Sequence, residues 1–281
     1  MSRGIGDARV VLRAAGLTPK KGFGQNFLVA PDVARRIAEA AVPDAERGSA
    51  LVVEIGAGTG ALTAELAHRA SRVIAIERDR DLVPLLRASF AEIPTVEIVE
   101  ADAKTFDYRA FARQDIIAKP RDLSLVGNLP YQLTGALLER ATEIAPLLVR
   151  AVFMVQREVG ARLLAAPGTK DYGALTVFVR AAFDVARVMR VSAGSFFPRP
   201  DVESTVVILV PRKDRVTETE TFRALVHAAF AKRRKTLRNA WSGIAEASAL
   251  DAAARACAIS LDARGETLSA EQFAAMALRL A

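Results

Sequence analysis

The stretch VVEIGAGTGALT, residues 52–63, joins an apolar run to a glycine-rich turn and then to a helix-like pattern. Glycines at 56, 58 and 60 permit a tight turn and let a ligand approach bare backbone at the positive end of the following helix. Strand, glycine loop and helix in this order are typical of an open α/β sheet that binds a nucleotide. The stretch therefore predicts a ligand site at the tip of its strand.

Two cofactor chemistries fit this loop. The spacing Gly56-x-Gly58-x-x-Ala61 satisfies the relaxed dinucleotide fingerprint, whereas E-x-G-x-G-x-G from Glu54 resembles the first motif of S-adenosylmethionine-dependent methyltransferases. Glu77 ends the next apolar run and can accept hydrogen bonds from a ribose diol. Asp102 follows the third run and can accept one from an adenine amine, although a helix cap is its alternative role. The set favours an adenosine-containing cofactor and leaves nicotinamide and sulfonium chemistry both open.

Short apolar runs alternate with helix-like segments up to about residue 211. The predicted strands are 51–56, 72–77, 96–101, 123–128, 151–156 and 205–210. Their near-continuous hydrophobicity and this alternation predict an α/β fold, with an open, mostly parallel, Rossmann-like sheet covered by helices on both faces. The polar stretch at 211–220 breaks the pattern, and an Ala-rich, helix-like region follows. We predict a sheet domain at 1–211 and a small all-helical domain at 216–281.

The tetrapeptide Asn128-Leu129-Pro130-Tyr131 ends the fourth of these predicted strands. An adenine N6 amine is a poor nucleophile because its lone pair is delocalised into the ring. The Asn128 side-chain oxygen and the Leu129 carbonyl can accept its two N–H groups, which frees the lone pair. Pro130 fixes the backbone, and Tyr131 offers a flat face on which a base can stack. The alternative is a strand-ending turn with a packing tyrosine; the chemical reading favours methyl transfer to an amine.

This tetrapeptide resembles the Asn-Ile/Leu-Pro-Tyr motif of the rRNA adenine N6-dimethyltransferase family. Other motifs of that family occur in its order, and the resemblance covers nearly the whole chain, closest to the bacterial small-subunit (16S) type. They are FGQNFL (23–28), the glycine loop, ERD (77–79), EADA (100–103), the Phe196-Phe197-Pro198-Arg199-Pro200 loop followed by DVES, and FAKRRKTLRN (230–239).

The resemblance implies a role for each matched residue. Asn26, Leu28, Gly56, Gly58, Glu77, Asp102 and Asn128 are expected to bind S-adenosylmethionine. Asn128, Leu129, Pro130 and Tyr131 are expected to form the catalytic group, with Phe196 covering the target base on the face opposite Tyr131. The alternative for Phe196 is a core aromatic before a Pro-rich turn. A base held between two rings has lost its neighbours, so the substrate nucleotide is expected to be extruded or single-stranded.

A run of cations in the C-terminal region indicates an RNA contact. Lys232, Arg233, Arg234, Lys235 and Arg238 occur without an intervening acid. Phosphates would relieve their mutual repulsion, and a solvated helix face is the alternative. The net charge of +7 on 281 residues agrees with a polyanionic partner, and an Arg-rich composition with no such partner is the alternative.

Composition excludes several classes of protein. No apolar run is long enough for a membrane helix, and the N-terminus lacks the apolar core of a secretory signal. A single cysteine, Cys257, and two histidines, His68 and His227, give poor support for a metal site or a disulfide. We therefore expect a cytoplasmic monomer without metal.

The sequence thus predicts an enzyme that transfers methyl groups from S-adenosylmethionine to adenine N6. By resemblance, the targets are two adjacent adenosines near the 3′ end of 16S rRNA in a small-subunit assembly intermediate, and the product is dimethyladenosine. Three alternatives stay open: a resistance-type 23S rRNA dimethyltransferase, a non-catalytic RNA-binding assembly or transcription factor on the same fold, and a dehydrogenase.

Overall fold

The computed structural model describes residues 7–111, 123–231 and 234–280. Its strands are β1 (Phe27–Leu28), β2 (Leu51–Ile55), β3 (Arg72–Glu77), β4 (Val96–Glu100), β5 (Leu123–Asn128), β6 (Leu148–Gln156), β7 (Phe183–Val191), β8 (Phe196–Phe197) and β9 (Ser204–Pro211). Its helices are α1 (Ala8–Ala14), α2 (Pro31–Ala41), α3 (Ala61–Ala67), α4 (Val83–Phe90), α5 (Tyr108–Phe111), α6 (Thr134–Ile144), α7 (Arg157–Leu164), α8 (Ala174–Ala182), α9 (Glu220–Ala231), α10 (Leu237–Trp241), α11 (Ala247–Ala256) and α12 (Ala270–Leu280).

Seven strands form one sheet in the order β4-β3-β2-β5-β6-β9-β7. Strands β2 to β6 pair in parallel, and β9 pairs antiparallel with β6. Strand β2 lies between β3 and β5. The chain therefore adds β3 and β4 on one side of β2, and then returns to add β5 and β6 on its other side. Such a switch point opens a crevice at the carboxyl ends of the strands. The α/β, Rossmann-like prediction is confirmed, and the crevice falls beside the glycine loop.

Buried apolar strands hold the sheet in place. Val52, Val73, Val126 and Val152 on four neighbouring strands are fully buried and belong to one core cluster. Burying a valine side chain stabilises a fold by about 1.5–3 kcal/mol, so these residues account for the near-continuous hydrophobicity of the predicted strands.

One long strand was not among those predicted. Strand β7 is the last in the sheet order, and its Asp184, Arg187 and Arg190 are exposed. Charged residues are common on edge strands because they discourage pairing with other chains. In β7 these charged residues interrupt the continuous apolar run by which the other strands were predicted, so this strand was missed. A separate two-stranded sheet joins β1 to β8 antiparallel, with Leu28 opposite Phe196.

The chain divides into two compact units. The first comprises residues 1–160 and 185–211, and the second comprises 161–184 and 212–281. The sequence prediction assigned 161–184 to the sheet domain, whereas the structure places this segment with the C-terminal helices. Tyr172 donates a hydrogen bond from its hydroxyl to the Leu268 carbonyl at 2.9 Å, and Val177 is buried in the same cluster as Trp241. Sequence periodicity identifies an apolar helix face but not the partner that covers it.

Across the described ranges, every helix is too short or too polar to cross a membrane.

Gly60 supports a prediction about stability. It begins α3 with φ of +86°, and a Cβ there would lie 2.8 Å from the Phe90 ring. The change Gly60→Ala should lower the free energy of unfolding by about 2–4 kcal/mol, because it adds left-handed strain and overpacking. Gly135, exposed within α6 with open space around its Cβ position, provides the control. Gly135→Ala should raise the same free energy by about 0.5–1 kcal/mol, measured by urea denaturation. Equal effects of the two substitutions would contradict the packing described here.

Candidate active site

A cavity lies at the carboxyl ends of β2, β3 and β5. It brings together ten of the residues predicted to bind cofactor or act in catalysis. They are Asn26, Leu28, Gly56, Gly58, Glu77, Asp102, Asn128, Leu129, Pro130 and Tyr131. All of them belong to the first compact unit. The neighbouring strand tips thus collect residues that are up to about a hundred positions apart in the sequence.

The glycine loop forms the floor of the cavity and is held by the neighbouring strand. The Gly56 amide donates to the Ile76 carbonyl at 2.9 Å, and the Gly58 amide donates to Glu77 Oε2 at 2.8 Å. A Cβ at Gly58 would lie 3.1 Å from the Phe27 ring, and φ at this residue is +60°. Glycine therefore gives bare backbone at the point where β1 comes close to the loop.

Glu77 is buried at the end of β3 and fixed by two backbone donors. Besides the Gly58 amide on Oε2, the Asp79 amide donates to Oε1 at 2.8 Å. Burial raises the pKa of this carboxyl, against the lowering effect of those two hydrogen bonds. Each carboxylate oxygen keeps a further lone pair. Glu77 can therefore accept hydrogen bonds from a diol without losing its own support.

Glu54, which the sequence analysis used only as part of a motif, also lines the cavity. Its side chain is 1% exposed and accepts a hydrogen bond from the Thr63 hydroxyl at 2.6 Å. Burial raises the pKa of this carboxyl to about 7, with a further contribution from the nearby negative charge of Glu77. A carboxyl group whose pKa is raised by burial in a cavity wall is a candidate for a functional group.

Asp102 lies at the cavity edge with part of its carboxylate already engaged. Oδ1 accepts a hydrogen bond from the Lys104 amide at 2.9 Å, and Oδ2 lies 3.5 Å from the Arg78 guanidinium. The Arg78 guanidinium lies 4.7 Å from the centre of the Phe23 ring. Arg78 and Phe23 both line the cavity and were given no individual role by the sequence, since a contact between loops distant in the chain leaves no local pattern.

The Asn128 amide has a defined orientation. Its Nδ2 donates to the main-chain carbonyl of Asn26 at 3.0 Å, so its Oδ1 is the atom left for a ligand. Among the residues that the structure describes, none donates a hydrogen bond to Asn128 Oδ1 or to the Leu129 carbonyl. Two neutral oxygens on adjacent residues are therefore available as acceptors at the tip of β5.

The residues after Asn128 form a rigid turn. The Leu129 amide donates to the Met154 carbonyl at 3.0 Å, and the Pro130 carbonyl accepts from both the Leu133 amide and the Thr134 hydroxyl. Tyr131 is half-buried on the cavity wall. These bonds fix the backbone on both sides of the Leu129 carbonyl.

The Tyr131 phenol points away from solvent. Burial raises its pKa, an effect that the nearby Ser204 hydroxyl opposes. The Tyr131 hydroxyl is buried and makes no hydrogen bond to any of the residues that the structure describes. The phenol therefore stays neutral near pH 7, and Tyr131 contributes an uncharged ring.

Phe196 occupies a different place from the one expected of a residue that covers a base. It is 2% exposed, belongs to the core cluster that includes Leu28 and Val33, and is absent from the cavity lining. Its backbone pairs with Leu28. In this position the Phe196 ring packs in the same core cluster as Leu28 of β1. The ring would have to leave this core to stack on a base. A core aromatic before a Pro-rich turn was the alternative that the sequence left open for Phe196, and its position in this structure agrees with that alternative.

The predicted RNA-binding residues belong to the second unit. Arg234 and Lys235 are exposed, and Arg238 forms an exposed ion pair with Asp251 at 3.0 Å. Lys232 and Arg233 lie outside the described residues.

Comparison with known proteins gives a consistent result. The profile of the family described as "Ribosomal RNA adenine dimethylase" matches residues 16–281. The chain is 43% identical to "Ribosomal RNA small subunit methyltransferase A" of Geobacter metallireducens, over 94% of this chain and 96% of that protein. It is 41% identical to the protein of the same name from Moorella thermoacetica, over 98% and 97% of the two chains.

Two solved structures are similar in both sequence and fold. A dimethyladenosine transferase from Plasmodium falciparum superposes with a TM-score of 0.71 at 25% identity, covering 90% of this chain and 95% of that one. The 23S rRNA methyltransferase ErmE superposes with a TM-score of 0.67 at 28% identity, covering 91% of this chain and 99% of that one.

The buried carboxyl of Glu54 gives a pH-dependent prediction. Because its pKa is about 7 in the folded protein and about 4.3 in an unfolded chain, ionisation of Glu54 destabilises the fold. This cost is absent below about pH 4, grows between about pH 4 and pH 7, and levels off above pH 7. The isosteric change Glu54→Gln removes it. The variant should match the native protein near pH 4 and exceed its free energy of unfolding by about 3 kcal/mol at pH 8.

Urea denaturation at the two pH values measures this difference. The control is Glu97→Gln, which removes an exposed carboxylate that pairs with Arg72 on the neighbouring strand. Its effect on stability should be below about 1 kcal/mol at both pH values. A Glu54→Gln effect that does not change with pH would show that Glu54 is not ionised at this cost.

Proposed function

The chain belongs to the ribosomal RNA adenine dimethylase family, and from this premise we propose that it acts on the small ribosomal subunit. We propose that it transfers methyl groups from S-adenosylmethionine to N6 of two adjacent adenosines near the 3′ end of 16S rRNA. The single observation that carries the chemical part is the pair of acceptor oxygens on Asn128 and Leu129, held beside the glycine loop.

The small-subunit target is supported by the relatives that match over nearly their whole length. Those at 43% and 41% identity are named for the small subunit, whereas the 23S rRNA enzyme of similar fold is 28% identical. The resistance-type 23S reaction is therefore the second candidate, since it uses the same chemistry.

The cavity suits S-adenosylmethionine as the methyl donor. That molecule supplies an electrophilic methyl group on a sulfonium centre. Glu77 can accept hydrogen bonds from the ribose hydroxyls. Asp102 Oδ2, which lies 3.5 Å from the Arg78 guanidinium, keeps a lone pair that can accept one from the adenine amine. Gly56 and Gly58 present bare backbone, while Asn26 and Leu28 border the same space. We assign these residues, together with Asn128, to the donor.

The target amine is activated by neutral acceptors. Asn128 Oδ1 and the Leu129 carbonyl accept its two N–H groups, so the nitrogen lone pair is directed away from the ring and toward the methyl group. The fixed turn at Pro130 keeps the two oxygens in place, and such positioning supplies a large part of the rate in group transfer. The proton leaves the methylated nitrogen for water, and no strong base is needed.

Tyr131 provides the stacking surface for the base. One base–aromatic stack contributes roughly 1–3 kcal/mol and does not depend on base identity. The acceptors on Asn128 and Leu129 therefore provide the specificity for an amino group. Tyr131 fixes the orientation of the base ring by stacking against it. We propose that Phe196 covers the opposite face only in the RNA complex, after it leaves the core position described above.

The helical unit is proposed to contact RNA phosphates through Arg234 and Lys235, with Lys232 and Arg233 of the same run. Exposed cations without an acidic neighbour gain most from a phosphate partner. Arg238 already pairs with Asp251 and should contribute less.

A non-catalytic RNA-binding factor on this fold is the competing hypothesis, and Asn128 separates it from an enzyme. In the native protein, label from methyl-labelled S-adenosylmethionine should enter undermethylated small subunits as dimethyladenosine. Asn128→Ala should reduce the rate at least about 100-fold, the cost of removing one preorganised catalytic hydrogen-bond group, and leave RNA affinity within a few-fold. The assay is single-turnover methylation with the product nucleoside identified.

Undermethylated large subunits serve as the parallel substrate. Label found only in large subunits would replace our target with the 23S reaction. Unchanged turnover by Asn128→Ala would reject the amide as the activating group, and the absence of any transfer would favour the non-catalytic factor.

The basic run yields a prediction about salt. Changing Arg234 and Lys235 together to Gln should weaken binding to 16S rRNA fragments and reduce the slope of log affinity against log salt by about 1–2, since each lost phosphate contact removes close to one released counterion. Arg255→Gln, an exposed cation of α11, is the control and should leave the slope unchanged. Filter binding at several salt concentrations measures it, and an unaltered slope in the double variant would place the RNA contact elsewhere.

A further inference from the structure

Asp79 is a buried carboxylate that the proposed chemistry does not use. It is 2% exposed and is not part of the cavity lining. Lys20 Nζ contacts its Oδ1 at 2.5 Å, Gln25 Nε2 donates to its Oδ2 at 2.7 Å, and the Asp81 amide donates to Oδ1 at 3.1 Å. Burial opposes ionisation, but these three donors outweigh it and lower the pKa of Asp79. Asp79 is thus a charged group whose bonds all go to protein.

Gln25 uses both ends of its side-chain amide in the same network. Its Oε1 accepts a hydrogen bond from the Lys20 amide at 2.8 Å, while its Nε2 donates to Asp79. Lys20 Nζ also contacts Asp81 Oδ2 at 2.7 Å. The bond between Gln25 and the Lys20 amide therefore joins the two ends of segment 20–25. Both ends are also bonded to Asp79, just after β3 and more than fifty residues away in sequence.

The network continues into the catalytic amide through the next residue. The carbonyl of Asn26 accepts the hydrogen bond from Asn128 Nδ2 at 3.0 Å. At its other end, the Asp79 amide donates to Glu77 Oε1. One continuous set of bonds therefore joins the carboxylate assigned to the ribose with the amide assigned to the target amine.

We propose that Lys20, Gln25 and Asp79 form a positioning latch, which holds the Asn26 carbonyl so that Asn128 presents oxygen, and not its NH2 group, to the substrate. The inference rests on the function proposed for Asn128. An asparagine amide turned by 180° offers two donors, and donors cannot accept the N–H groups of an amine. Groups behind a catalytic residue commonly fix its orientation in this manner. Lys20 and Asp79 lie outside the cavity lining, and Gln25 borders the cavity with both ends of its side-chain amide bonded to protein, so the three act as positioning residues.

A pair of isosteric changes tests the latch. Gln25→Glu places a carboxylate against Asp79 and should lower kcat about 10–100-fold at saturating cofactor and RNA. Asp79→Asn also mismatches the pair, because two amide NH2 groups then compete for too few acceptors, and should lower kcat about 10-fold.

The double variant, which carries Gln25→Glu and Asp79→Asn together, restores the match. The amide introduced at position 79 donates to the carboxylate introduced at position 25, and that carboxylate also accepts from the Lys20 amide. The net charge is then that of the native latch. The kcat of the double variant should return to within about threefold of the native value.

An NMR measurement on the free protein makes the test independent of the reaction. The side-chain NH2 signals of Asn128, identified by their loss in Asn128→Ala, should be well separated in the native protein because one proton is hydrogen-bonded to Asn26. They should collapse toward each other in Gln25→Glu and separate again in the double variant. Glu97→Gln is the control and should leave both kcat and these signals unchanged.

Each outcome decides one question. Native kcat and native Asn128 signals in Gln25→Glu would overturn the latch, and so would a double variant that stays as slow as the single ones. Failure of the native protein to methylate any ribosomal subunit would reject the proposed function instead. The NMR comparison would in that case still support or overturn the latch on its own.

Discussion

The hydrogen bond from the Asn128 side chain to the Asn26 carbonyl determines what this site can do. An asparagine side chain carries an NH2 group that donates hydrogen bonds and an oxygen that accepts them. In Asn128 the NH2 group is bonded to the protein. The side-chain oxygen stays available next to Leu129 in the chain, whose backbone is held by the hydrogen bonds of the turn at Pro130. Two neutral acceptors are the requirement for binding an amino group without protonating it. The proposed methyl transfer follows from that requirement.

The sheet makes this bond possible by placing β2 between β3 and β5. The glycine loop follows β2, whereas Glu77 and Asn128 are the last residues of β3 and β5, and the switch point brings all three to one cavity. The buried carboxyl of Glu54 shows that this arrangement reduces stability, because burial raises its pKa to about 7. Proteins tolerate such costs mainly where a site needs charge in a confined space. Stability elsewhere comes from the buried valine side chains of the central strands, which carry no polar atoms that need a hydrogen-bond partner.

Much of this could be predicted from the sequence because the signals are local. Continuous apolar runs identified six strands of the sheet, and the family resemblance to rRNA adenine dimethyltransferases is confirmed by the family match. Features that depend on distant contacts could not be predicted. Strand β7 lacks an apolar run because it lies at an edge, and the partner of α8 is known only once α9 to α12 are in place. The hydrogen bonds between Asp79 and the segment 20–25 are of the same kind.

The most direct test of the account is a crystal structure of the protein with S-adenosylhomocysteine and an adenosine-containing RNA fragment. We expect the target N6 atom to lie within about 3.2 Å of both Asn128 Oδ1 and the Leu129 carbonyl, with Asn128 Nδ2 still bonded to Asn26. A target base whose amino group faces Asn128 Nδ2, or lies away from both oxygens, would contradict it.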